Sequence, residues 1–209
     1  MANLNNANNV NFEIIASSFS HLPYFLIFGS LLGFTRENKL IPHDDDIDFG
    51  LNVSHKEETI EILNKLKLKV TVKEYVVSAE NLNLKSGNNI DFYFYFEKNG
   101  NLVFPATFYT NCQYKKRHNL HIQKNYVFEL KSKEGFNLPN KPKTLSRYIY
   151  GKYFEKKLIK NKDYFILFFR NKPIVIYNIF LIKILFINRL FFEKRYKYAI
   201  NEIKSIFKN

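Results

Sequence analysis

The stretch Phe28-Gly29-Ser30-Leu31-Leu32-Gly33-Phe34-Thr35-Arg36, followed by Ile41-Pro42-His43-Asp44-Asp45-Asp46-Ile47-Asp48-Phe49, decides how this chain is read. Four acids fall within residues 44–48. Like charges so close repel, and each carboxylate loses hydration on partial burial. A divalent cation offsets both costs. From Asp46 to Val53 the pattern has period two, with Asp46, Asp48 and Gly50 on one face and Ile47, Phe49 and Leu51 on the other. That predicts a strand, from which Asp46 and Asp48 project together and reach one ion. Oxygen ligands without a His/Cys set point to Mg²⁺ or Mn²⁺ rather than Zn²⁺. The loop is not an EF-hand, because Gly50 and His55 miss the positions that motif requires.

Working outward toward the N-terminus, Tyr24–Phe28 is an apolar run bounded by Pro23 and Gly29, which predicts a buried strand. Ser30 is expected to cap a helix that runs to about Arg36. A strand entering a helix at Gly29-Ser30 leaves backbone N–H groups free. Glycine admits a phosphate closely, and the helix N-terminus favours its negative charge. Arg36 would add a charge-assisted contact to a diphosphate. Downstream, Ile90–Phe96 predicts a strand with Asp91, Tyr93 and Tyr95 on one face and apolar residues on the other. On a neighbouring strand, Asp91 is the natural third carboxylate. Taken singly, Gly-Ser is an ordinary turn, an Asp-rich loop is a solvated turn or a calcium loop, and Asp91 is a strand-edge charge. The specific signal is their conjunction, since metal carboxylates facing a phosphate-binding turn are the equipment of phosphoryl transfer.

Elsewhere the patterns are plainer. Residues 1–9 are Asn-rich and read as a frayed start, and Val10–Phe19 has helical spacing. Ser54 with Glu57 reads as a capping box for a helix over His55–Leu66. Residues 68–77 read as one strand, 81–89 as turn-rich, and Leu102–Leu130 as further β structure, with helix returning around Leu138-Pro139. Two helices are expected in the tail, about Lys172–Phe192 and Lys194–Phe207, the second with an apolar stripe at Tyr196, Ala199/Ile200, Ile203 and Ile206/Phe207. Lys183 and Arg189 interrupt the apolar run 174–192, which argues against a membrane span.

With 209 residues the chain is long enough for a core without staples. Its single cysteine excludes an intramolecular disulfide and C-x-x-C sites. The N-terminus lacks a basic n-region and an apolar h-region, so a reducing, cytoplasmic setting is the expectation. Hydrophobic residues at 46% exclude wholesale disorder. The net charge of +13 is unevenly spread: residues 156–209 hold 13 Lys/Arg against 3 Asp/Glu, leaving 19 against 16 for residues 1–155. A catalytic domain at 1–155 and a basic tail at 156–209 are therefore expected. An acidic centre with a separate basic tail argues against a nucleic-acid-binding module, and no nucleic-acid partner is expected.

The run Gly29-Ser30-Leu31-Leu32-Gly33-x-x-Arg36 with Ile41-Pro42-His43-Asp44-Asp45-Asp46-Ile47-Asp48-Phe49 closely resembles the signature of the LicD/fukutin-type phosphotransferases, a branch of the nucleotidyltransferase fold. Leu138-Pro139, Leu145 and Tyr150-Gly151-Lys152-Tyr153 resemble that family's closing element. The resemblance covers about residues 10–155, with Gly29-Ser30 where Gly-Thr is frequent and His43 where Trp is frequent. It implies an α/β (α+β) fold, a nucleotidyltransferase-like mixed sheet flanked by helices, to which the sequence adds a basic helical tail. It implies transfer of a phospho-alcohol, such as phosphocholine or ribitol phosphate, from a CDP-linked donor to a sugar hydroxyl. The acceptor would be a glycan such as a lipopolysaccharide, lipooligosaccharide or capsule precursor. Asp46 and Asp48 match the family's metal-binding Asp-x-Asp, Asp91 looks like the third acid, and by superfamily analogy Asp91 could take the hydroxyl proton. A true nucleotidyltransferase attaching NMP to a sugar, small molecule or protein is the alternative.

Several residues keep two readings. His43 contacts the donor or serves as surface counter-charge, and Asp44 orients the loop or binds a second ion. Lys115-Lys116-Arg117-His118 reaches donor phosphates or forms a solvated loop. Tyr93 and Tyr95 stack on a base, enclose a quaternary ammonium or fill the cleft floor. Cys112 reads as a buried structural thiol. The tail packs on the catalytic domain or docks peripherally on the anionic inner leaflet of the membrane.

Overall fold

A computed structural model of the protein describes residues 15, 17–41, 46–80, 89–109, 117–133, 135–155, 165–169, 172–192, 196, 198–200 and 203. His43, Asp44, Cys112, Lys115, Lys116 and residues 81–88 lie outside the described residues. So does most of 10–19, although Ile15, Ser17 and Ser18 are helical. The chain divides into two compact units, Met1–Pro105 with His121–Ser146, and Ala106–Leu120 with Arg147–Asn209.

The elements run β1 (Phe25–Leu26), α1 (Phe28–Glu37), β2 (Asp46–Asn52), a 3₁₀ turn (Val53–His55), α2 (Lys56–Lys65), β3 (Lys69–Val72), β4 (Val76–Glu80) and β5 (Asn89–Lys98). They continue with β6 (Asn101–Tyr109), β7 (Arg117–Gln123), α3 (Lys124–Val127), β8 (Lys131–Lys133), β9 (Phe136–Leu138) and α4 (Pro142–Tyr150). Last come β10 (Phe165–Phe169), β11 (Lys172–Ile176) and α5 (Ile179–Phe192). The main sheet has the order β1-β2-β5-β4-β3, with β6 pairing β5 and β7. β2 and β5 are parallel, while β1–β2, β4–β5 and β3–β4 are antiparallel. The expected mixed α/β sheet is thus present.

Period-two alternation in β2 and β5 builds the core on one face of the sheet. Ile47, Phe49 and Leu51 are buried, as are Ile90, Phe92 and Phe94. Phe49 stacks on Phe92 with ring centroids 5.1 Å apart, and Phe19 packs on Phe92 at 4.7 Å. Each such side chain contributes roughly 1.5–3 kcal/mol on full burial. The stacked pair is also a register pair, Phe49 opposite Phe92. It therefore fixes what stands opposite what on the other face.

Gly33 shapes the approach to β2. A Cβ there would lie 2.5 Å from the Lys39 carbonyl oxygen and 2.8 Å from the Ile41 nitrogen. Glycine lets the backbone of 39–41 lie directly on α1.

Local expectations are corrected in four places. The strand expected over Tyr24–Phe28 shortens to Phe25–Leu26, because Phe28 takes a left-handed φ of 46° and turns the chain into α1. Ser54 is not a helix cap: it sits in the 3₁₀ turn, where its N–H donates to Asn52 Oδ1, and α2 begins at Lys56. The strand expected over 68–77 is a hairpin, β3–β4, closed by the Lys73 N–H donating to the Val76 carbonyl.

The fourth correction is in the tail, which is not wholly helical. Residues 172–176 form β11, paired antiparallel with β10, as the β-branched Ile174, Val175 and Ile176 favour. The helix starts after Asn178, whose Oδ1 accepts from the Leu181 N–H as a side-chain cap. Tyr196, Tyr198–Ile200 and Ile203 are helical, within the second helix expected. Among the described residues no helix is long and apolar enough to cross a membrane.

Gly33→Ala should lower the unfolding free energy by about 1–3 kcal/mol, the usual cost of overpacking. Urea denaturation checks it; a variant as stable as the parent would show that the close approach is not required.

Candidate active site

β1 runs antiparallel to β2, with Phe25 opposite Gly50 and Leu26 opposite Phe49. Its exit therefore lies beside Asp48. The Ile27 N–H donates to the Asp48 carbonyl at 3.1 Å, and the Gly29 N–H donates to Asp48 Oδ2 at 2.9 Å. In return, the Asp48 N–H donates to Ser30 Oγ at 2.9 Å. One aspartate thus ties the first turn of α1 to the sheet through both backbone and carboxylate. Ser30 is not the cap expected from the sequence. The N-cap is Ile27, which makes no side-chain cap bond, and the Ser30 hydroxyl is buried against β2. Asp48 supplies a side-chain acceptor at the helix start instead, where a negative charge is favoured.

The parallel register sets Asp48 opposite Asp91 and Asp46 opposite Asn89. Asp46, Asp48 and Asp91 each offer a carboxylate oxygen, and these oxygens lie within 4.8 Å of one another. Asp48 is 4% exposed, and Asp46 and Asp91 are half-buried. Asp91 Oδ1 is buried and has no hydrogen-bond partner among the described residues. An unsatisfied buried carboxylate oxygen is costly, and a cation removes that cost. The donor chemistry fits a hard divalent cation.

Tyr93 completes this face. Its hydroxyl donates to Asp91 Oδ2 at 3.4 Å, and its ring meets Phe28 edge-on at 4.8 Å. Burial, then the negative charges of Asp48, Asp91 and Asp46, hold its hydroxyl far above the ordinary tyrosine value, so it stays a neutral donor. Tyr95 lies in the interior against Phe25 and Phe104, at 6.0 and 5.4 Å. Burial also raises its pKa.

The structure therefore gathers Asp46, Asp48, Asp91, Gly29 and Ser30. Arg36 is placed apart, in the last turn of α1, about 10 Å along the helix axis from Gly29 at 1.5 Å per residue. Sequence reasoning missed the left-handed Phe28, a conformation that costs a bulky residue about 1–3 kcal/mol and points to a site. No sequence signal marks it. It also missed the Ser30–Asp48 bond, which joins residues 18 apart in the chain.

The mixed sheet thus sets an acidic triad beside the start of a helix. A sequence model described as LicD/FKTN/FKRP, nucleotidyltransferase domain, matches residues 21–142, and the chain belongs to that family. No curated protein matches it significantly. Among solved structures, the chain is similar to the lincosamide antibiotic adenylyltransferase LnuA with lincomycin bound. There the identity is 16%, the TM-score is 0.42, and 62% of this chain and 77% of that one are covered. It is also similar to ANT(2'')-Ia in complex with adenylyl-2''-tobramycin, at 14% identity and TM-score 0.40, covering 64% and 67% of the two chains. A solution structure of the antibiotic-resistance factor ANT(2'')-Ia matches at 18% identity and TM-score 0.35, covering 46% and 50%.

Titrating the protein with Mn²⁺ by calorimetry should show one site that Asp48→Asn or Asp91→Asn weakens by more than about tenfold, since even residues behind metal ligands cost 10–100-fold. Retained affinity in both variants would exclude the triad. Ser30→Ala should cost about 1–3 kcal/mol in urea unfolding, because it leaves the Asp48 N–H unpaired in the interior. An unchanged midpoint would show that the bond contributes nothing.

Proposed function

We propose that the protein transfers a substituted phosphate, a phospho-alcohol of the phosphocholine kind, from a CDP-linked donor to a hydroxyl of a cell-surface glycan. Mg²⁺ or Mn²⁺ is the cofactor, and the acceptor is a lipopolysaccharide, lipooligosaccharide or capsule precursor. Family membership supports the transferase reading. The observation that carries it is the convergence of Asp46, Asp48 and Asp91 beside the Gly29 turn.

In this reading Asp46, Asp48 and Asp91 hold the ion. Bound there, the ion neutralises the donor diphosphate and stabilises charge at the transferring phosphorus. Gly29 opens α1 with its N–H held by the Asp48 carboxylate rather than free, and a donor phosphate approaches this turn. Ser30 acts as a positioning residue through the Asp48 backbone. Arg36 contacts the diphosphate when the donor extends along α1. Asp91 is the carboxylate that accepts the proton of the acceptor hydroxyl. The hydroxyl oxygen bonds to the phosphorus of the phospho-alcohol, the bond from that phosphorus to the bridging oxygen breaks, and CMP leaves. Holding the two substrates in line supplies much of the rate.

A screen of CDP-linked donors with a glycan acceptor, with and without Mg²⁺, tests this reading by product mass. Release of CMP with a phospho-alcohol adduct is expected. Pyrophosphate release from a nucleoside triphosphate with an NMP adduct would replace it with nucleotidyl transfer. Asp46→Asn should cut turnover by about 10³-fold or more with the fold intact, because the ion supplies several kcal/mol. Near-parent turnover would remove the assignment.

A further inference from the structure

α5 reads Ile-Phe-Leu-Ile-Lys-Ile-Leu-Phe-Ile-Asn-Arg-Leu-Phe-Phe, with Lys183, Asn188 and Arg189 as its polar residues. A helix apolar on all sides is stable in water when it is covered on all sides. One side is covered: Ile182 and Leu185 are buried, with Ile176 of β11 packed against them. The other is open. Phe180 is 64% exposed, and Leu181, Ile184 and Phe191 are exposed with it. Phe180, Ile184 and Phe191 fall within about 40° of one another at 3.6 residues per turn, so they form one stripe. Beyond α5, Tyr196, whose ring lies 6.0 Å from Phe191, is exposed, as are Tyr198 and Ile200.

We infer that this stripe docks on the surface of an anionic lipid bilayer. Charge selects that occupant. Residues 156–209 carry 13 Lys/Arg against 3 Asp/Glu, and Lys194, Arg195 and Lys197 follow α5 directly in the sequence. The excess positive charge repels a second copy of this segment and attracts acidic headgroups. Phenylalanine and tyrosine rings beside lysine and arginine are the composition of a helix that lies in the headgroup region. The 14 described residues of α5 are too few to cross, and Lys183 and Arg189 interrupt them, so we place the helix on the bilayer rather than through it. Lipid seated on the stripe removes the exposed apolar surface that water leaves unfavourable.

Flotation of the full chain with phosphatidylcholine vesicles, with and without phosphatidylglycerol, tests the inference. The chain should rise with the vesicles that contain phosphatidylglycerol, stay down with phosphatidylcholine alone, and be released at about 1 M NaCl, where the screening length is about 3 Å. The variant F180Q/I184Q/F191Q changes exposed side chains and should keep the parent's circular dichroism. Its bound fraction should fall by more than about tenfold as three apolar groups are withdrawn from the interface. Failure of the parent to float, equal flotation on both lipids, or a triple variant that floats like the parent would overturn the inference. So would a concentration-dependent dimer that forms without lipid binding. If the triple variant unfolds, the lipid and salt comparisons on the parent decide. The readout is independent of catalysis, so a chain that floats without transferring phosphate upholds this inference and sinks only the catalytic reading.

Discussion

Phe49 and Phe92 stack at 5.1 Å across two parallel strands, and that one contact sets the register on which the site depends. A strand has two faces and a period of two. Locking the aromatic pair on the buried face therefore locks Asp48 opposite Asp91 on the other. A slip of one residue would place a phenylalanine in the acidic cluster and an aspartate in the core. Both errors are costly, so the apolar side of the sheet enforces the geometry of the polar side. Mutual repulsion among the carboxylates opposes the arrangement and cannot build it.

The second constraint is the joint between β1, α1 and β2. Asp48 accepts the Gly29 N–H at its carboxylate and the Ile27 N–H at its carbonyl, and it donates its own N–H to Ser30. These bonds, with the packing of the Phe28 ring on Tyr93 and Phe104, hold Phe28 in a left-handed conformation that an isolated chain would avoid. The carboxylate that faces the cation position is thus the group that steadies the helix start. The acidic cluster and the helix start share one residue.

Much of this was legible in the sequence, and the reason is periodicity. Alternation over 46–53 and 90–96 gave both strands and put the three aspartates on their faces before any pairing was known. Residues whose role depends on a distant partner were not legible. Ser30 resembles a cap because serine caps helices, yet its hydroxyl serves a strand 18 residues on. The β3–β4 turn carries neither glycine nor proline, so 68–77 read as one strand. The tail mixed β-branched and helix-forming apolar residues, and Lys172–Ile176 was absorbed into a helix until its pairing with Phe165–Phe169 was seen. One available signal went unused. Asn99-Gly100, both left-handed with φ of 49° and 72°, turns β5 into β6 as an Asn-Gly hairpin should.

The central claim is that carboxylates from two strands share a single ion beside the first turn of α1. Anomalous diffraction from crystals grown with Mn²⁺ addresses it directly. The account predicts one strong peak within bonding distance of Asp46, Asp48 and Asp91 oxygens. A peak coordinated elsewhere, or none at saturating Mn²⁺ with nucleotide present, would contradict it.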